Sequence, residues 1–298
     1  MKMLKVMEKR RTVREYDPAP LNAVTMTAIE DIIDSMPIFT GTEKVDFIVL
    51  ENGETVFEAL KGIAGYNGHM IEAPHYFLIT CSGDTADYQT VGYLGEWLAL
   101  QLAKKDIGTC WLSVNGNQTV VQTKLELEMD GTIAALMAFG EPKEDKKLSK
   151  IYAFGETTLQ QSQRKFAESD SSIKDESYAY KNAITEFVYL KSFGTEMEYD
   201  EIAKRGMDEV FYYMRNAPSW GNLQPWKFIL DGECVVLAME KNPELEQYIQ
   251  DVDAGIAMLY FEVAMHDTGL AGKWHVDVEK VREKLSIPEN YKLIGYYC

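Results

Sequence analysis

The sequence is poor in cysteine, in long apolar runs and in positive charge. Four cysteines (Cys81, Cys110, Cys234 and Cys298) stand among 298 residues, and none forms a Cys-x-x-Cys pair. They are too few and too scattered for a disulfide framework, and a reducing, cytoplasmic setting fits them best. No window reaches the roughly 20 apolar residues of a membrane span. The basic start, residues 1–14, lacks the apolar stretch of a signal peptide. A formal net charge of -17 argues against nucleic acid or anionic lipid as a partner. There is no G-x-G-x-x-G and no P-loop, so a nicotinamide dinucleotide would visit rather than reside. His69, His75, Asp84 and Asp87 show no recognised ligand spacing, and no metal is expected.

What is present is an ordinary globular composition, 46% hydrophobic and 26% charged, enough for two domains with a core that needs no staple. Residues 21–50 read as helix, proline-containing loop and strand, and so do residues 202–230. An offset of 181 positions places Met26 on Met207, Pro37 on Pro218 and Phe47 on Phe228. Further on, residues 91–111 and 254–274 both read as long apolar helices. An offset of 163 places Gly92 on Gly255, Ile107 on Leu270 and Trp111 on Trp274. The chain therefore reads as an eroded tandem duplication. Residues 74–81 and 132–139 read as buried strands. A polar stretch, residues 156–178, reads as a connector or an exposed helix, with the boundary near Ser171: domains 1–170 and 171–298. The alternation of elements is too irregular for a doubly wound sheet, so the class is α+β.

Two clusters can carry chemistry. Arg10, Arg11, Thr12 and Arg14 bring three guanidiniums and a hydroxyl within five residues, a set that can hold a phosphate. The same residues can also be a solvated basic N-terminus. The second cluster is Ala217-Pro218-Ser219-Trp220-Gly221-Asn222-Leu223-Gln224-Pro225-Trp226-Lys227-Phe228. Two prolines and a glycine bend it sharply, and its polar and aromatic groups could cradle a planar heterocycle. The alternative is a well-packed turn beneath the core.

Both segments resemble the signatures of the nitroreductase family, an Arg-Arg-Ser-x-Arg start and an Ala-Pro-Ser-x-x-Asn-x-Gln-Pro-Trp loop. Residues 107–112 (Ile-Gly-Thr-Cys-Trp-Leu) are similar to its Gly-Leu-Gly-Thr-Cys-Trp stretch, with Asp106 replacing the first glycine. Phe139-Gly140-Glu141-Pro142 resembles its Gly-Tyr-Pro ending. Family members carry these motifs in one copy and form intertwined homodimers with FMN at the interface. Here the motifs are divided between the copies. Under the offset of 181, Arg10, Arg11, Thr12 and Arg14 meet Lys191, Ser192, Phe193 and Thr195. Ser219, Trp220, Asn222 and Gln224 meet Ile38, Phe39, Gly41 and Glu43. The resemblance therefore implies a nitroreductase-like fold of two degenerate copies forming an intramolecular pseudo-dimer, monomeric, with one FMN per chain.

It also implies roles. Arg10, Arg11 and Thr12 would hold the FMN phosphate, with Lys147 (or Lys146) adding a contact, and Arg14 would stand at the N1 and O2 edge. Pro218, Ser219, Trp220 and Asn222 would contact the ring and ribityl chain. The backbone N–H of Ser113 would approach N5, and Asn67 the pyrimidine edge. Gln224 and Trp226 would brace the loop. NAD(P)H would be the transient electron donor, and a nitroaromatic, quinone or similar small molecule the acceptor. No catalytic side chain is required. Dehalogenation, dehydrogenation or flavin degradation on the same scaffold, and FMN binding without turnover, are the alternative readings.

Overall fold

The repeat inferred from the sequence reappears as a repeat of sheet topology. The computed structural model describes residues 2–39, 44–66, 68–82, 87–114, 116–128, 131–143, 180–276 and 281–298. The chain divides into two compact units, one of Lys9–Tyr180 and one of Met1–Glu8 with Lys181–Cys298. The expected connector and the boundary near Ser171 lie outside the described residues, as do Asn67, Lys146 and Lys147.

The first unit holds strands β1 (Lys44–Leu50), β2 (His75–Ser82), β3 (Gly108–Leu112) and β4 (Thr132–Gly140), in sheet order β1-β2-β4-β3. Its helices are α2 (Ala23–Asp34), α3 (Gly53–Leu60), α4 (Tyr88–Ala103) and α5 (Gln118–Lys124). The second unit holds α1 (Met3–Lys9), α6 (Ile184–Phe187), β5 (Val188–Leu190), α7 (Tyr199–Lys204), α8 (Asp208–Met214), β6 (Trp226–Asp231), β7 (Cys234–Glu240), α9 (Gln247–Asp267), β8 (Trp274–His275), α10 (Val281–Lys284) and β9 (Tyr291–Tyr297). Its sheet order is β5-β6-β7-β9-β8. Remove β5, and the second order is the first one again, antiparallel throughout. β5 joins β6 in parallel, with Val188 opposite Phe228.

The strands form where expected because short apolar runs form them and both faces are covered. Tyr76, Phe77, Leu78 and Ile79 in β2, and Leu136, Met137, Ala138 and Phe139 in β4, are fully buried. In the second unit Phe187, Phe211, Phe228, Phe261 and Tyr297 pack ring on ring, with centroids 5.1–6.3 Å apart. Edge-to-face and offset geometries of this kind add to their area burial.

The two long helices end earlier than the sequence reading placed them. α4 stops at Ala103 and α9 at Asp267; Trp111 and Trp274 belong to strands β3 and β8. The stop is a left-handed cap. Asp106 (φ 62°) and Gly269 (φ 85°) turn the chain, and the next residue reaches back. Ile107 N–H donates to Leu102 O at 3.1 Å, and Leu270 N–H to Met265 O at 2.9 Å. This six-to-one bond defines a Schellman end. It falls at matching positions under the offset of 163, so the repeat extends to the cap. The larger first copy is explained by α3: β2 has its counterpart in β7, and α3 has none.

Two further expectations are corrected. Cys234 and Cys298 are bridged, their Cα atoms 4.7 Å apart. β7 and β9 run antiparallel with Val235 opposite Tyr297, which sets the flanking cysteines side by side across 64 residues of sequence. Cys81 and Cys110 are buried and stand outside the disulfide. The pairing of residues 10–14 with 191–195 also fails. Thr12 bridges Thr109 of β3, whereas Lys191 N–H donates to Leu230 O of β6. By sheet order β3 corresponds to β8, so the two segments lie at opposite edges of their sheets.

Candidate functional site

In the first unit the arginine segment is docked against the edge of β3. Val13 N–H donates to Thr109 O at 2.9 Å, beside the parallel Thr12–Thr109 bridge. Gly108 makes the approach possible: a Cβ there would meet Val13 Cγ2 at 2.5 Å. The next residues are sewn to the end of β4. Asp17 N–H donates to Glu141 O at 2.9 Å, Lys143 N–H to Glu15 O at 3.0 Å, and the Tyr16 hydroxyl to Ala138 O at 3.2 Å.

The four polar side chains of the segment have different surroundings. Arg10 is buried against Glu96, which projects from α4 and is itself fully buried. Nε stands 2.7 Å from one carboxylate oxygen, and a terminal nitrogen donates to the other at 3.1 Å. The Trp111 indole N–H donates to the same carboxylate at 2.7 Å. Arg10 also reaches the Thr12 hydroxyl at 3.3 Å. Arg11 is exposed, and Thr12 and Arg14 are half-buried. Burial holds the Arg14 guanidinium below its ordinary pKa, an effect opposed by the nearby Cys110 thiol and Tyr16 hydroxyl. Burial likewise pushes the Cys110 thiol up, against the pull of Arg14 and Arg10.

Ser113 follows β3 and is tied to the loop after α3. Its hydroxyl donates to Gly65 O at 2.9 Å, and its carbonyl accepts from Gly65 N–H at 2.8 Å. Gly65 has φ 92°, and a side chain there would strike His69.

In the second unit the Pro218–Trp226 loop is held in an unfavourable shape. Gly221 (φ 57°), Asn222 (φ 56°) and Gln224 (φ 52°) are left-handed. Each non-glycine residue in this region costs about 1–2 kcal/mol, so the surroundings must impose the form. Inside the loop, the Ser219 hydroxyl accepts from Gln224 N–H at 2.9 Å, and Asn222 N–H donates to Ser219 O at 3.0 Å. From outside, the Lys181 ammonium donates to Ala217 O and to Asn222 Oδ1, both at 3.3 Å. Asn182 N–H donates to Gln224 Oε1 at 3.0 Å. Trp220 N–H meets both oxygens of Asp253, at 3.1 and 3.0 Å. Asp253 projects from α9, is buried, and has its pKa raised to about 8 by desolvation, with the Trp220 bond working the other way. Gln224 and Trp226 are buried.

The sequence thus pointed to both segments, and each is a built feature of its own unit. It missed what holds them: Glu96, Asp253 and Lys181. For Glu96 a signal existed, a single carboxylate inside an otherwise apolar helix; Asp253 shares α9 with Asp251, Glu262 and Asp267 and had no such mark.

No curated protein matches the sequence. Among solved structures, a nitroreductase from Thermotoga maritima MSB8 is similar over 100% of this chain and 93% of its own, at 16% identity and a TM-score of 0.57. An FMN-dependent nitroreductase from Clostridium difficile R20291 covers 48% of this chain and 88% of its own, at 18% identity and TM-score 0.39. A nitroreductase with bound FMN from Bacteroides fragilis NCTC 9343 covers 51% of this chain and 97% of its own, at 18% and 0.39. The family model described as Putative TM nitroreductase matches residues 2–265, and the chain belongs to that family.

Proposed function

We propose that the chain is an FMN-dependent oxidoreductase that takes electrons from NAD(P)H and passes them to a small acceptor such as a nitroaromatic or quinone. One FMN per chain is served by both the arginine segment and the Pro-Ser-Trp-Gly-Asn loop. The observation that carries this reading is the loop itself, whose strained left-handed backbone is imposed by Lys181, Asn182 and Asp253. Strain of this kind persists where function requires a fixed shape.

The donor set fits the cofactor. Thr12 and exposed Arg11 supply a hydroxyl and a fork for the phosphate, with Lys147 as a further cation. Arg10 belongs to the same phosphate group of residues. Its fork is shared with Glu96, so its part is chiefly to fix the segment's backbone on β3. Arg14, partly desolvated, places a cation for the N1 and O2 edge, where positive charge favours electron uptake. Pro218, Ser219, Trp220 and Asn222 present backbone and ring surface to the isoalloxazine and ribityl chain, and the Ser113 N–H addresses N5. FMN supplies the redox chemistry when bound; the side chains bind, orient and exclude water. No side chain is assigned as catalytic. The protein acts as a monomer on a small-molecule acceptor; the Cys234–Cys298 bridge removes the ground for the expected cytoplasmic setting. No helix among the described residues is long and apolar enough to cross a membrane.

The test is a visible spectrum of the purified protein with released flavin counted per chain, followed by anaerobic NADH and NADPH addition. About one FMN per chain, bleached by either nucleotide, supports the reading. Two FMN per chain, or none after reconstitution, overturns it. Flavin that neither nucleotide reduces leaves a binding protein without turnover.

A further inference from the structure

We propose that Asp253 is a positioning residue for the flavin loop: its carboxylate, taking the Trp220 N–H on both oxygens from the wall of α9, fixes the backbone from Ser219 to Asn222 and so sets how tightly FMN is held. The inference rests on the function proposed above and deepens it.

Trp220 N–H opens the single turn Trp220–Asn222, and the left-handed residues follow immediately. Whatever fixes that N–H fixes the start of the strained segment. When Asp253 is ionised the bond is charge-assisted and lies out of water, which makes it stronger than its neutral equivalent. An asparagine would also offer an acceptor there, at no cost in buried charge. The chain keeps the acid although α9 is otherwise buried and apolar around it, with Ala254, Ile256, Ala257 and Met258 at 2% exposure or less.

Several charged groups on the neighbouring elements have contacts of their own. On α9 itself, Asp251 takes Lys292 at 2.5 Å and Gln247 at 3.0 Å. Lys181 addresses Ala217 and Asn222, and Arg215, after α8, lies over the Tyr212 ring at 4.7 Å. Glu240 of β7 acts on Tyr189, Lys227 and Tyr291. Among the described residues Asp253 forms no ion pair. Its proton is therefore governed by burial and by the Trp220 bond, and with a pKa of about 8 it is exchanged near neutral pH. A protonated carboxyl keeps one good acceptor and gains a donor with nothing to meet, so the loop is held less firmly. Flavin affinity should rise through this ionisation.

The test is titration of FMN by flavin fluorescence at pH 6.5 to 9.5, with wild type, Asp253→Asn and Asp253→Leu. Changes in FMN ionisation are common to all three proteins and cancel in the comparison. Wild type should bind about three- to tenfold more tightly at pH 9 than at pH 7. Asp253→Asn, which keeps a neutral acceptor, should rescue binding but lose the pH dependence. Asp253→Leu should bind about tenfold more weakly than wild type at pH 9. The wild-type profile needs no variant, so misfolding of Asp253→Leu does not spare the proposal. A flat wild-type profile, or equal profiles in wild type and Asp253→Asn, overturns the role of Asp253 while leaving the flavoprotein reading intact. Absence of FMN binding by wild type at every pH overturns both.

Discussion

Replacing Glu96 by alanine should be among the most damaging single changes available to the first unit. The carboxylate is fully buried, and its partners include the Arg10 guanidinium, whose side chain is 4% exposed, and the Trp111 indole. Removing one member of a buried ion pair costs about 3–5 kcal/mol, because the remaining charge keeps its desolvation penalty. The stranded indole N–H adds about 1–3 kcal/mol. Both losses pass through one carboxylate and do not add fully, so the total is about 4–6 kcal/mol. That is comparable with the whole stability of many domains. Glu96→Gln keeps an acceptor and should cost about half as much. Arg10→Met with Glu96→Met removes the charge on both sides and should recover most of the loss, since apolar replacement of a buried pair is often close to neutral. Because the chain holds two units, one unfolding free energy is not assured. Hydrogen exchange read on peptides from α4 and β3, with denaturant melts alongside, reports the affected region. Glu96→Ala within about 1 kcal/mol of wild type, or a double variant as unstable as Glu96→Ala, would refute the reasoning.

Gly108→Ala should force Val13 away from β3 and weaken FMN binding about tenfold or more, measured by flavin fluorescence, while β4 keeps its exchange protection. His75 is buried as a neutral ring, its Nδ1–H donating to Glu51 O at 2.8 Å and its Nε2 accepting from Leu21 N–H at 2.9 Å. Desolvation lowers its pKa, so the unfolded chain binds the proton first as pH falls. Its contribution is complete above about 6.5 and is lost as pH falls below that value toward the folded pKa; the loss should appear as a difference in slope between wild type and His75→Gln in melts from pH 7.5 to 5. Asp253 works in the opposite direction. Its folded pKa of about 8 lies above the unfolded value near 4, so stability should decline as pH rises between them, and Asp253→Asn should flatten the decline. Denatured without reductant, the protein should titrate two thiols, Cys81 and Cys110, and Cys298→Ser should lose about 2–4 kcal/mol of stability in urea melts, as expected for a bridge across 64 residues.

How far the sequence could be read depended on the range of the interactions involved. The strands β2 and β4, and the helix-loop-strand repeat, declare themselves through local pattern. The capping position of the long helices was written there too, as Asp106 and Gly269 under one offset, but apolar residues on both sides of the turn made helix and strand look continuous. The Pro218–Trp226 motif was legible because proline fixes φ and glycine admits the left-handed turn at set positions in the sequence. Its braces were not, since Lys181 lies 36 residues from Ala217 and Asp253 lies 33 from Trp220. The Cys234–Cys298 bridge and the seat of residues 10–14 on β3 were hidden for the same reason. Sheet order decides both, and an ungapped offset carries no sheet order.

Helix α1 groups with residues 181–298, and Leu4 N–H donates to the Asp267 carboxylate at 3.0 Å across 263 positions. Residues 3–9 thus find part of their seat only after residue 267 has been made. The second unit closes only once its last strands have been made, when the strands and helices of the first have all emerged. Nor can the duplicate be divided by cutting between its halves, because a fragment starting at residue 181 lacks α1. A gene fission at that point would need the severed N-terminal piece to return in trans, which ties the two copies into one heritable unit.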